Sequence, residues 1–564
     1  MVALRGARRR IIDLGRRALG LDVRPADHTI AALHSNENEV PGLNAREMAQ
    51  FTRIRFLGAT GSVLMAISGL GVAAQPVLGN PVSGVRLFGG FARWQTSSLA
   101  LNMLGIVLLV MAWLLLGRFS VGGLGGAPAH RITRSQLDRT LLLWVVPLSI
   151  TPPMFSTDVY SYLAQSEIAA RGMDPYVVGP GPGLGLDDIL TRNVPTIWLQ
   201  TPAPYGPLFL WVGRAMAHLT ADNVIVGVWL HRLLAVAGVA LIVWALPRLS
   251  RRCGVAPVGA LWLGAANPLV LLHLISGVHN DALMLGLMLA GMEFCLRAIE
   301  SSRPLDRRAW ALLVFGAVVI VLSSSIKFTS IIALGFVGMA LARRLGVGLR
   351  PLIGSALLLG VIAIGTTLFV SWASGLGFGW THTLNTASAV RSWMSLPTAI
   401  GIITGFGGVL LGLGDHTTAL LSITRPIAGA VAAFITLRML IATWTGRLHP
   451  VGALGVSLAA IVLLFPVVQA WYLLWALVPL AAWATQPAFR VPAVVLSAAV
   501  SLMQMPRGGD YGVFQIIEAA VAVVVVGVGF IALTRNLLPW RAQHPDAAAP
   551  MAPAAVPQSV GGSG

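Results

Sequence analysis

The chain has 564 residues, of which 56% are hydrophobic and only 11% are charged. Soluble domains carry about 25% charged residues, so this composition excludes an ordinary globular protein. The formal net charge of +18 does not indicate a nucleic-acid partner, because the arginines occupy short stretches between apolar runs. The two cysteines, Cys253 and Cys295, fit neither a disulfide framework nor a metal-binding motif.

Composition divides the chain into three parts. Residues 1–50 predict a basic cytoplasmic segment and not a signal peptide, because the first long apolar run begins only near Ile54. Residues 51–540 are predicted to form a transmembrane domain, since they contain many apolar runs near the length of about 20 residues that crosses a bilayer. Residues 541–564 are rich in alanine, proline and glycine, which predicts a disordered tail.

The apolar runs predict an all-α polytopic membrane protein with about 13–15 transmembrane helices, because backbone polar groups in lipid must be satisfied internally. Two apolar segments, 205–219 and 397–413, are expected to be re-entrant or interfacial. If these two segments do not cross, all the arginine-rich loops fall on the same side of the membrane. By the positive-inside rule that side is the cytoplasm, and both termini lie there as well. The expected spans are 54–75, 97–117, 140–155, 224–247, 257–276, 281–299, 310–325, 328–342, 351–372, 418–438, 450–468, 471–485, 491–505 and 513–534.

The opposite, extracytoplasmic side is predicted to carry two long loops, about 154–223 and 373–417. The first loop is rich in aspartate and glutamate, and proline and glycine interrupt it at 179–185 and 201–207. Irregular backbone at the membrane edge persists where it is buried in protein or lines a wet cavity, so a cavity is expected here. All six tyrosines of the chain fall on this side, either as an interfacial aromatic belt or as stacking platforms for sugar rings.

Asp158 is the residue of this loop that points most directly to chemistry. Two consecutive prolines break the preceding helix, Ser156 or Thr157 can cap a new one, and Gly172 supplies its stop. An aspartate in the first turn is stabilised by the helix dipole, so one interpretation is a capping residue. The other interpretation is a general base, held where a lipid headgroup and a polar acceptor meet.

Polar residues within apolar regions supply further candidates. His279, Asn280 and Asp281 lie between two spans, and they predict either a solvated turn or a binding loop for hydroxyls or phosphate. Lys327, the only lysine of the chain, lies at the outer end of a helical pair. Three further charged residues lie inside predicted spans, namely Arg232, Arg425 and Glu518. They predict either an internal ion pair or a shared phosphate site.

Four segments of the sequence resemble a known family. They are 157–165 (TDVYSYLAQ), 172–176 (GMDPY), 279–283 (HNDAL) and 471–475 (WYLLW). The resemblance runs from about residue 50 to 540 and is to the actinobacterial polyprenyl-phosphomannose-dependent α-(1→6)-mannosyltransferases, of the MptB type. It implies the GT-C glycosyltransferase fold, in which an extracytoplasmic loop after an early span holds an essential aspartate. The first outer loop, 76–96, departs from many families of this fold because it has no carboxylate.

The resemblance implies that mannose is transferred with inversion from a polyprenyl-phosphate-mannose donor to a 6-hydroxyl of a growing α-(1→6)-mannan. The acceptor is then a glycolipid of the lipomannan and lipoarabinomannan type at the outer face of the plasma membrane. Asp158 matches the loop aspartate and is the expected base. The residues expected to bind substrate are Tyr160, Tyr162, Gln165, Asp174, Tyr176, His279, Asn280, Asp281, Lys327, Arg391 and Tyr472. Among them, Lys327 and Arg391 are assigned to the donor phosphate by position alone.

The implied partners are the lipid-linked donor, the mannan glycolipid acceptor and membrane lipids, with no nucleic acid and no cofactor; metal dependence stays open. A transporter or flippase of a lipid-linked sugar is one alternative, but the sequence shows no pair of similar halves. A transferase of another sugar, such as an arabinosyltransferase, is the other. Such enzymes typically add a large carbohydrate-binding domain, for which the stretch from 535 is too short.

Overall fold

The computed structural model describes residues 33–82, 84–122, 128–301, 304–383, 392, 394–506 and 511–534. The predicted tail 541–564, most of the basic segment 1–50 and Arg391 therefore lie outside the described residues. Every regular element within the described ranges is a helix, and one isolated β-bridge joins Gly42 to Arg131.

The α-helices are described here in chain order. They are α1 (Ala45–Val72), α2 (Arg86–Arg93), α3 (Gln95–Ser120), α4 (Arg134–Ser149), α5 (Asp158–Ala170), α6 (Pro180–Leu184), α7 (Pro207–Thr220), α8 (Val224–Arg252), α9 (Pro257–Gly264), α10 (Asp281–Ile299), α11 (Arg307–Ser324), α12 (Ile332–Leu345), α13 (Leu349–Ser374), α14 (Trp380–Thr383), α15 (Leu396–Leu410), α16 (Thr417–Trp444), α17 (Pro450–Leu464), α18 (Leu473–Ala481), α19 (Pro487–Leu502) and α20 (Val513–Thr534). A π-helix occupies Val270–Ser276, and short 3₁₀-helices occupy Thr191–Asn193, Thr196–Trp198, Phe328–Ile331 and Ala470–Tyr472.

The prediction of an all-α polytopic membrane protein is confirmed. Within the described residues, eight helices are long and apolar enough to cross a membrane. They are α1, α3, α8, α10, α11, α13, α16 and the stretch Phe328–Leu345 that contains α12. Shorter apolar helices accompany them at Leu396–Leu410, Pro450–Leu464, Ala470–Ala481, Pro487–Leu502 and Val513–Gly529. The sequence-based count is larger than eight because it includes four of these shorter helices, all but Leu396–Leu410, and two segments that the structure shortens or breaks.

The expected span 257–276 is one of those two segments, and the prediction of a continuous helix there is wrong. Pro268 has no N–H group to continue the helix ladder after α9. The Asn267 side chain then accepts a hydrogen bond from the Leu269 N–H at 2.9 Å and donates one to Ser497 Oγ at 2.9 Å. The chain continues as a π-helix, a rare form that is frequent at functional sites.

The helix α10 lies at the centre of the bundle. Of the 18-residue apolar stretch of α10, 78% is buried by the rest of the protein, whereas the corresponding share is 17% for α13 and for α16. It packs closely on α11, where a Cβ added to Gly291 would lie 2.6 Å from the Gly316 carbonyl oxygen. Because α10 begins at Asp281, the most enclosed long helix places a carboxylate at one end of the bundle.

The long segment 154–223 folds over that end of the bundle as α5, α6 and α7. The Arg171 guanidinium holds it together by donating to Glu167 at 2.8 Å and to Asp188 at 3.0 Å. The helix α7 has 14 residues. At a rise of about 1.5 Å per residue it is shorter than a bilayer core of roughly 30 Å, in keeping with the expectation that this segment does not cross.

Candidate active site

Asp158 begins the helix α5, as the sequence predicted. Its own N–H donates to Ser156 Oγ at 3.2 Å, and Gly172 ends the element with a φ of +77° that suits glycine. The Asp158 carboxylate is 20% exposed, and its Oδ2 atom lies 3.8 Å from His279 Nδ1. The carboxylate therefore faces the chain segment that precedes α10.

The segment His279, Asn280 and Asp281 is buried, so the interpretation as a solvated turn is wrong. Asp281 is fully buried, and its two carboxylate oxygens have separate partners. Lys327 Nζ donates to Oδ2 at 2.6 Å, and Trp475 Nε1 donates to Oδ1 at 2.7 Å. A buried carboxylate requires such partners, because an unpaired charge in a protein interior is costly.

Aromatic rings surround the Lys327 ammonium group. Its Nζ lies 5.2 Å from the centroid of the Tyr472 ring, 5.8 Å from Trp475 and 6.0 Å from Tyr205. Tyr472 and Trp475 are stacked on each other with their centroids 4.2 Å apart. Cations are attracted to ring faces at these distances, so the rings and Asp281 together hold a positive charge at this point of the molecule.

The position of Tyr205 depends on a close contact made by its neighbour Gly206. The Gly206 N–H donates to the Ile326 carbonyl at 3.0 Å, and the Leu208 N–H donates to the Ser325 carbonyl at 3.1 Å. A Cβ at Gly206 would lie only 2.3 Å from the Ser325 carbonyl oxygen. The proline-rich loop before α7 can therefore rest directly on the loop that carries Lys327.

A chain of ring contacts joins Asp158 and His279 to this lysine. His279 is stacked on Trp471 with centroids 3.7 Å apart, and the Tyr162 hydroxyl lies 3.5 Å from His279 Nδ1. The Tyr162 ring meets the Tyr205 ring edge-on at 5.1 Å. Burial raises the pKa of both tyrosines well above the ordinary value, so these hydroxyls stay neutral. The site, called the aromatic chamber below, is thus a cluster of packed aromatic side chains that also contains a carboxylate and an ammonium group.

Backbone strain is concentrated in the two loops that carry the carboxylates. Phe155 has a φ of +66° and Val278 a φ of +57°, in the left-handed region that L-residues avoid. Their loops are joined by a hydrogen bond from the Met154 N–H to the Ser276 carbonyl at 3.2 Å. Such conformations cost on the order of 1–3 kcal/mol each and cluster at functional sites, which supports a functional role for both loops.

Arg232 braces the same loops from inside. Its buried guanidinium donates to the carbonyls of Ser149 at 3.1 Å, Thr151 at 2.5 Å and Ser276 at 3.4 Å. The other two intramembrane charges lie in different surroundings. Arg425 donates to Thr398 Oγ1 at 3.4 Å, and Glu518 lines a groove on α20. The structure therefore gives these three residues separate environments rather than one site.

Several of the residues predicted to bind substrate have other visible partners. The Tyr160 hydroxyl donates to the Ala74 carbonyl, which joins α5 to the end of α1. Asp174 Oδ1 accepts from the Tyr176 N–H at 2.8 Å, as in the turn that an Asp-Pro pair favours. The Tyr176 ring packs with Trp380 in a small separate cluster.

Gln165 and Asn280 are buried, and each has side-chain polar atoms without a hydrogen-bond partner in the described structure. Of the predicted binding residues, those that converge around Asp158 are Tyr162, His279, Asp281, Lys327 and Tyr472. The role of the whole set remains a prediction, and Arg391 lies outside the described residues.

An apolar groove of about 290 Å³ runs beside Lys327 on the flank of the bundle. It lies between the end of α11 and the side of α13, and Phe328 directly follows the lysine. Its wall on α13 includes Ile364 and Leu368, which are 62% and 50% exposed. The groove is lined by Pro207, Ser324, Ser325, Phe328, Ile331, Ala363, Ile364, Thr367, Leu368, Phe378 and Trp380. The groove therefore lies beside the chain segment that carries Lys327 and reaches the exposed side of α13.

Comparison with known proteins gives two family matches that together cover most of the chain. Residues 55–343 match the model for the α-(1→6)-mannopyranosyltransferase N-terminal domain, and residues 397–532 match the MptB C-terminal domain. The chain belongs to the α-(1→6)-mannopyranosyltransferase family. The family prediction and the prediction of a glycosyltransferase enzyme are confirmed.

Curated relatives named as α-(1→6)-mannopyranosyltransferases align with this chain over most of their own length. A "probable α-(1→6)-mannopyranosyltransferase" of Mycolicibacterium smegmatis is 52% identical, over 93% of this chain and 96% of its own. An α-(1→6)-mannopyranosyltransferase of Mycobacterium tuberculosis is 49% identical over 91% and 93% of the two chains. The α-(1→6)-mannopyranosyltransferase B of Corynebacterium glutamicum is 40% identical over 85% and 81%. No solved structure matches the chain.

Three aromatic residues of the candidate site are absent from the predicted set, namely Tyr205, Trp471 and Trp475. The sequence held partial signals for them. Tyr205 stands in a stiff proline-rich segment on the predicted outer side, and both tryptophans belong to the WYLLW segment that carries the family resemblance. Their contacts with Lys327, His279 and Asp281 join distant parts of the chain, so periodicity could not reveal them.

Proposed function

We propose that this protein transfers mannose from polyprenyl-phosphate-mannose to the 6-hydroxyl of a growing α-(1→6)-mannan on a glycolipid, with inversion at the anomeric carbon. The observation that carries the proposal is the arrangement of Asp158 and Lys327 in one aromatic chamber, with an apolar groove beside the lysine. Membership of the family supplies the class of reaction, and these residues supply the chemistry.

In the proposed reaction, the bond between the anomeric carbon and the phosphate oxygen breaks while a bond to the acceptor O6 forms. Asp158 accepts the proton of the acceptor hydroxyl, because its carboxylate is partly exposed at the chamber wall. Lys327 stabilises the negative charge that develops on the departing polyprenyl phosphate. Asp281 holds this ammonium group in place, so the cation is oriented before the donor arrives.

The surroundings of the lysine suit a lipid-linked sugar. Ring faces such as those of Tyr205 and Tyr472 match the apolar face of a sugar, while buried hydroxyls and amides satisfy its polar groups. The groove along Phe328 and Ile364 offers apolar surface to the first isoprene units of the donor. A phosphate bound at Lys327 would then have its lipid chain in the membrane and its sugar in the chamber.

We also propose that the site lies on the extracytoplasmic side of the plasma membrane. The helix α10 runs from Asp281 in the site to Arg297 near its other end, and α8 and α12 end in arginine pairs. The two pairs are Arg251 with Arg252 and Arg343 with Arg344. By the positive-inside rule that opposite end is cytoplasmic.

The test is a transfer assay on membranes that contain the protein, labelled polyprenyl-phosphomannose and a short α-(1→6)-mannoside. Asp158→Asn is expected to lower the transfer rate by at least about 100-fold, the usual contribution of a general base. Asp187→Asn is the matched control, because this carboxylate of the same loop is 97% exposed and pairs with Arg192 at the surface. It should retain the wild-type rate.

Transfer by the wild type that is undiminished in Asp158→Asn would move the base to Glu167 or Asp174. An absence of transfer by the wild type, with movement of the intact donor across the membrane, would instead favour a flippase. Supplying a labelled arabinose donor on the same carrier in a parallel reaction tests the choice of sugar.

A further inference from the structure

A second pocket, of about 540 Å³, lies at the other end of the bundle from the chamber. Its location follows from the segment 33–38, which bonds to the residues just after α8: the Glu37 N–H donates to the Gly254 carbonyl at 2.9 Å. The end of α8 in turn meets the end of α10, where Arg252 pairs with Glu300 at 3.0 Å. The 19 residues of α10 separate this end from Asp281 by about 28 Å.

Two helices of opposite direction form the long walls of this pocket. α3 ends here and contributes Leu114 and Arg118, whereas α19 begins here and contributes Arg490 and Val494. Residues four apart share a helix face, so each wall carries an arginine at the helix end and an aliphatic side chain one turn deeper. The pocket is therefore polar at the end that carries the two arginines and apolar one helix turn deeper, towards the middle of the bundle.

The charge of the pocket is positive, and its two arginines differ. Arg490 Nη1 donates to Glu37 Oε1 at 2.7 Å, and Glu37 Oε2 accepts from the Ala256 N–H at 2.9 Å, so this pair is largely balanced. Within the described part of the chain, no carboxylate lies within ion-pair distance of the exposed Arg118. One guanidinium thus remains to bind an anion, and its planar fork suits a phosphate.

The pocket is preformed and open at the side. Trp113 and Trp262 exchange hydrogen bonds, Nε1 to carbonyl, at 3.0 and 2.8 Å, and their rings stack at 5.0 Å, which fixes the back wall. The front is different, because Leu114 is 40% and Val495 61% exposed on helices that are apolar along their length. A ligand can therefore enter from the lipid without unfolding any element.

We propose that this pocket binds one anionic glycerophospholipid from the leaflet opposite the active site. The phosphate is bound by Arg118, and an acyl chain lies along Leu114, Val494 and Val495. The pairing of a cation at the helix end with an apolar slot one turn deeper is what an amphiphile with a negative headgroup requires. A zwitterionic lipid of the same chain length makes the same apolar contacts in the slot but a weaker electrostatic interaction with Arg118. The pocket therefore discriminates between lipids by headgroup charge.

Native mass spectrometry of the full chain in mild detergent tests this proposal, with phosphatidylglycerol and phosphatidylcholine of identical acyl chains as probes. The wild type should retain one phosphatidylglycerol preferentially. Arg118→Gln should lower its occupancy by roughly tenfold, the loss expected for one hydrogen bond to a charged group. Arg251→Gln is the control, because it removes the same charge from an exposed position at the end of α8, outside the pocket.

Val495→Trp gives an independent check, because it fills the slot and leaves Arg118 in place. It should reduce the occupancy of both lipids, and an unchanged unfolding midpoint in lipid-free detergent shows that the variant is folded. Equal retention of the two lipids by the wild type would overturn the proposal. So would equal loss in Arg118→Gln and Arg251→Gln, or full occupancy in Val495→Trp.

Discussion

At the scale of single residues, the pair Lys327–Asp281 sets the electrostatics of the chamber. The two side chains are 14% and 0% exposed. A buried pair adds little net stability over apolar residues of the same shape, yet removing one partner leaves the other charge uncompensated. The Trp475 indole N–H is a second donor to Asp281, which fixes the carboxylate and through it the lysine.

Comparison of one single variant with the double variant tests this coupling. Asp281→Asn is expected to destabilise the protein by about 3–5 kcal/mol, because the Lys327 ammonium loses its carboxylate inside the protein. Adding Lys327→Met should restore part of that loss, although it removes a further polar group. Unfolding midpoints of the detergent-purified variants measure both effects. A double variant less stable than Asp281→Asn alone would show that the pair is not coupled in this way.

At the scale of elements, the chamber exists because separate loops rest on each other by their backbones. The loop before α7 touches the loop after α11 at Gly206 and Ser325, and the loop after α4 is bonded to the π-helix at Ser276. These loops carry side chains of the candidate site, so small backbone shifts at the contacts are expected to move those side chains.

Gly206→Ala is expected to lower the transfer rate by more than about tenfold while the protein stays folded. The new Cβ would lie 2.3 Å from the Ser325 carbonyl oxygen, and overpacking of this kind costs typically 1–3 kcal/mol. The loop must then lift, which carries the Tyr205 ring away from Lys327. The transfer assay and the unfolding midpoint are measured together.

Gly354→Ala is the matched control for that experiment. Gly354 lies inside α13 with no atom within 4 Å of an added Cβ, so alanine should be neutral or stabilise the helix by roughly 0.5–1 kcal/mol. If Gly206→Ala retained the activity of Gly354→Ala, the contact would have no part in positioning Tyr205.

The elements also show what local sequence signals can predict. The start of α5 after two prolines and its stop at Gly172 were predicted correctly, because caps and glycine stops act within a few residues. The sequence analysis does not predict the break at Pro268, because the apolar residues on both sides of Asn267 together have the length of one continuous span. Local chemistry at that position outweighed hydropathy.

At the scale of the whole molecule, the site could be predicted only in part. The sequence points to Asp281 and Lys327 because each is polar beside apolar runs, and to Asp158 because it begins a helix in the acidic outer loop and matches the family's loop aspartate. The sequence does not predict that Asp281 pairs with Lys327 and Trp475, because these partners are 46 and 194 residues away from it along the chain. Such contacts are fixed by the packing of many helices, which no single segment encodes.

The proposed orientation of the molecule can be tested with a single introduced cysteine. Both native cysteines are buried, so the background reaction with a membrane-impermeant maleimide should be low. Asp187→Cys, on the active-site end, should react in intact cells, because that side chain is 97% exposed. Arg251→Cys, at the other end, should react only after permeabilisation. The reverse pattern would place the active site in the cytoplasm.

The single lysine of the chain makes one position chemically distinct from all the arginines, because only lysine has a side-chain primary amine. Because Lys327 is the only lysine in 564 residues, the candidate active site contains the only side-chain amine of the protein. Reagents that acylate primary amines therefore have one internal target, held between Asp281 and the ring of Tyr472. We expect its rate of modification to fall when the proposed donor phosphate is bound beside it.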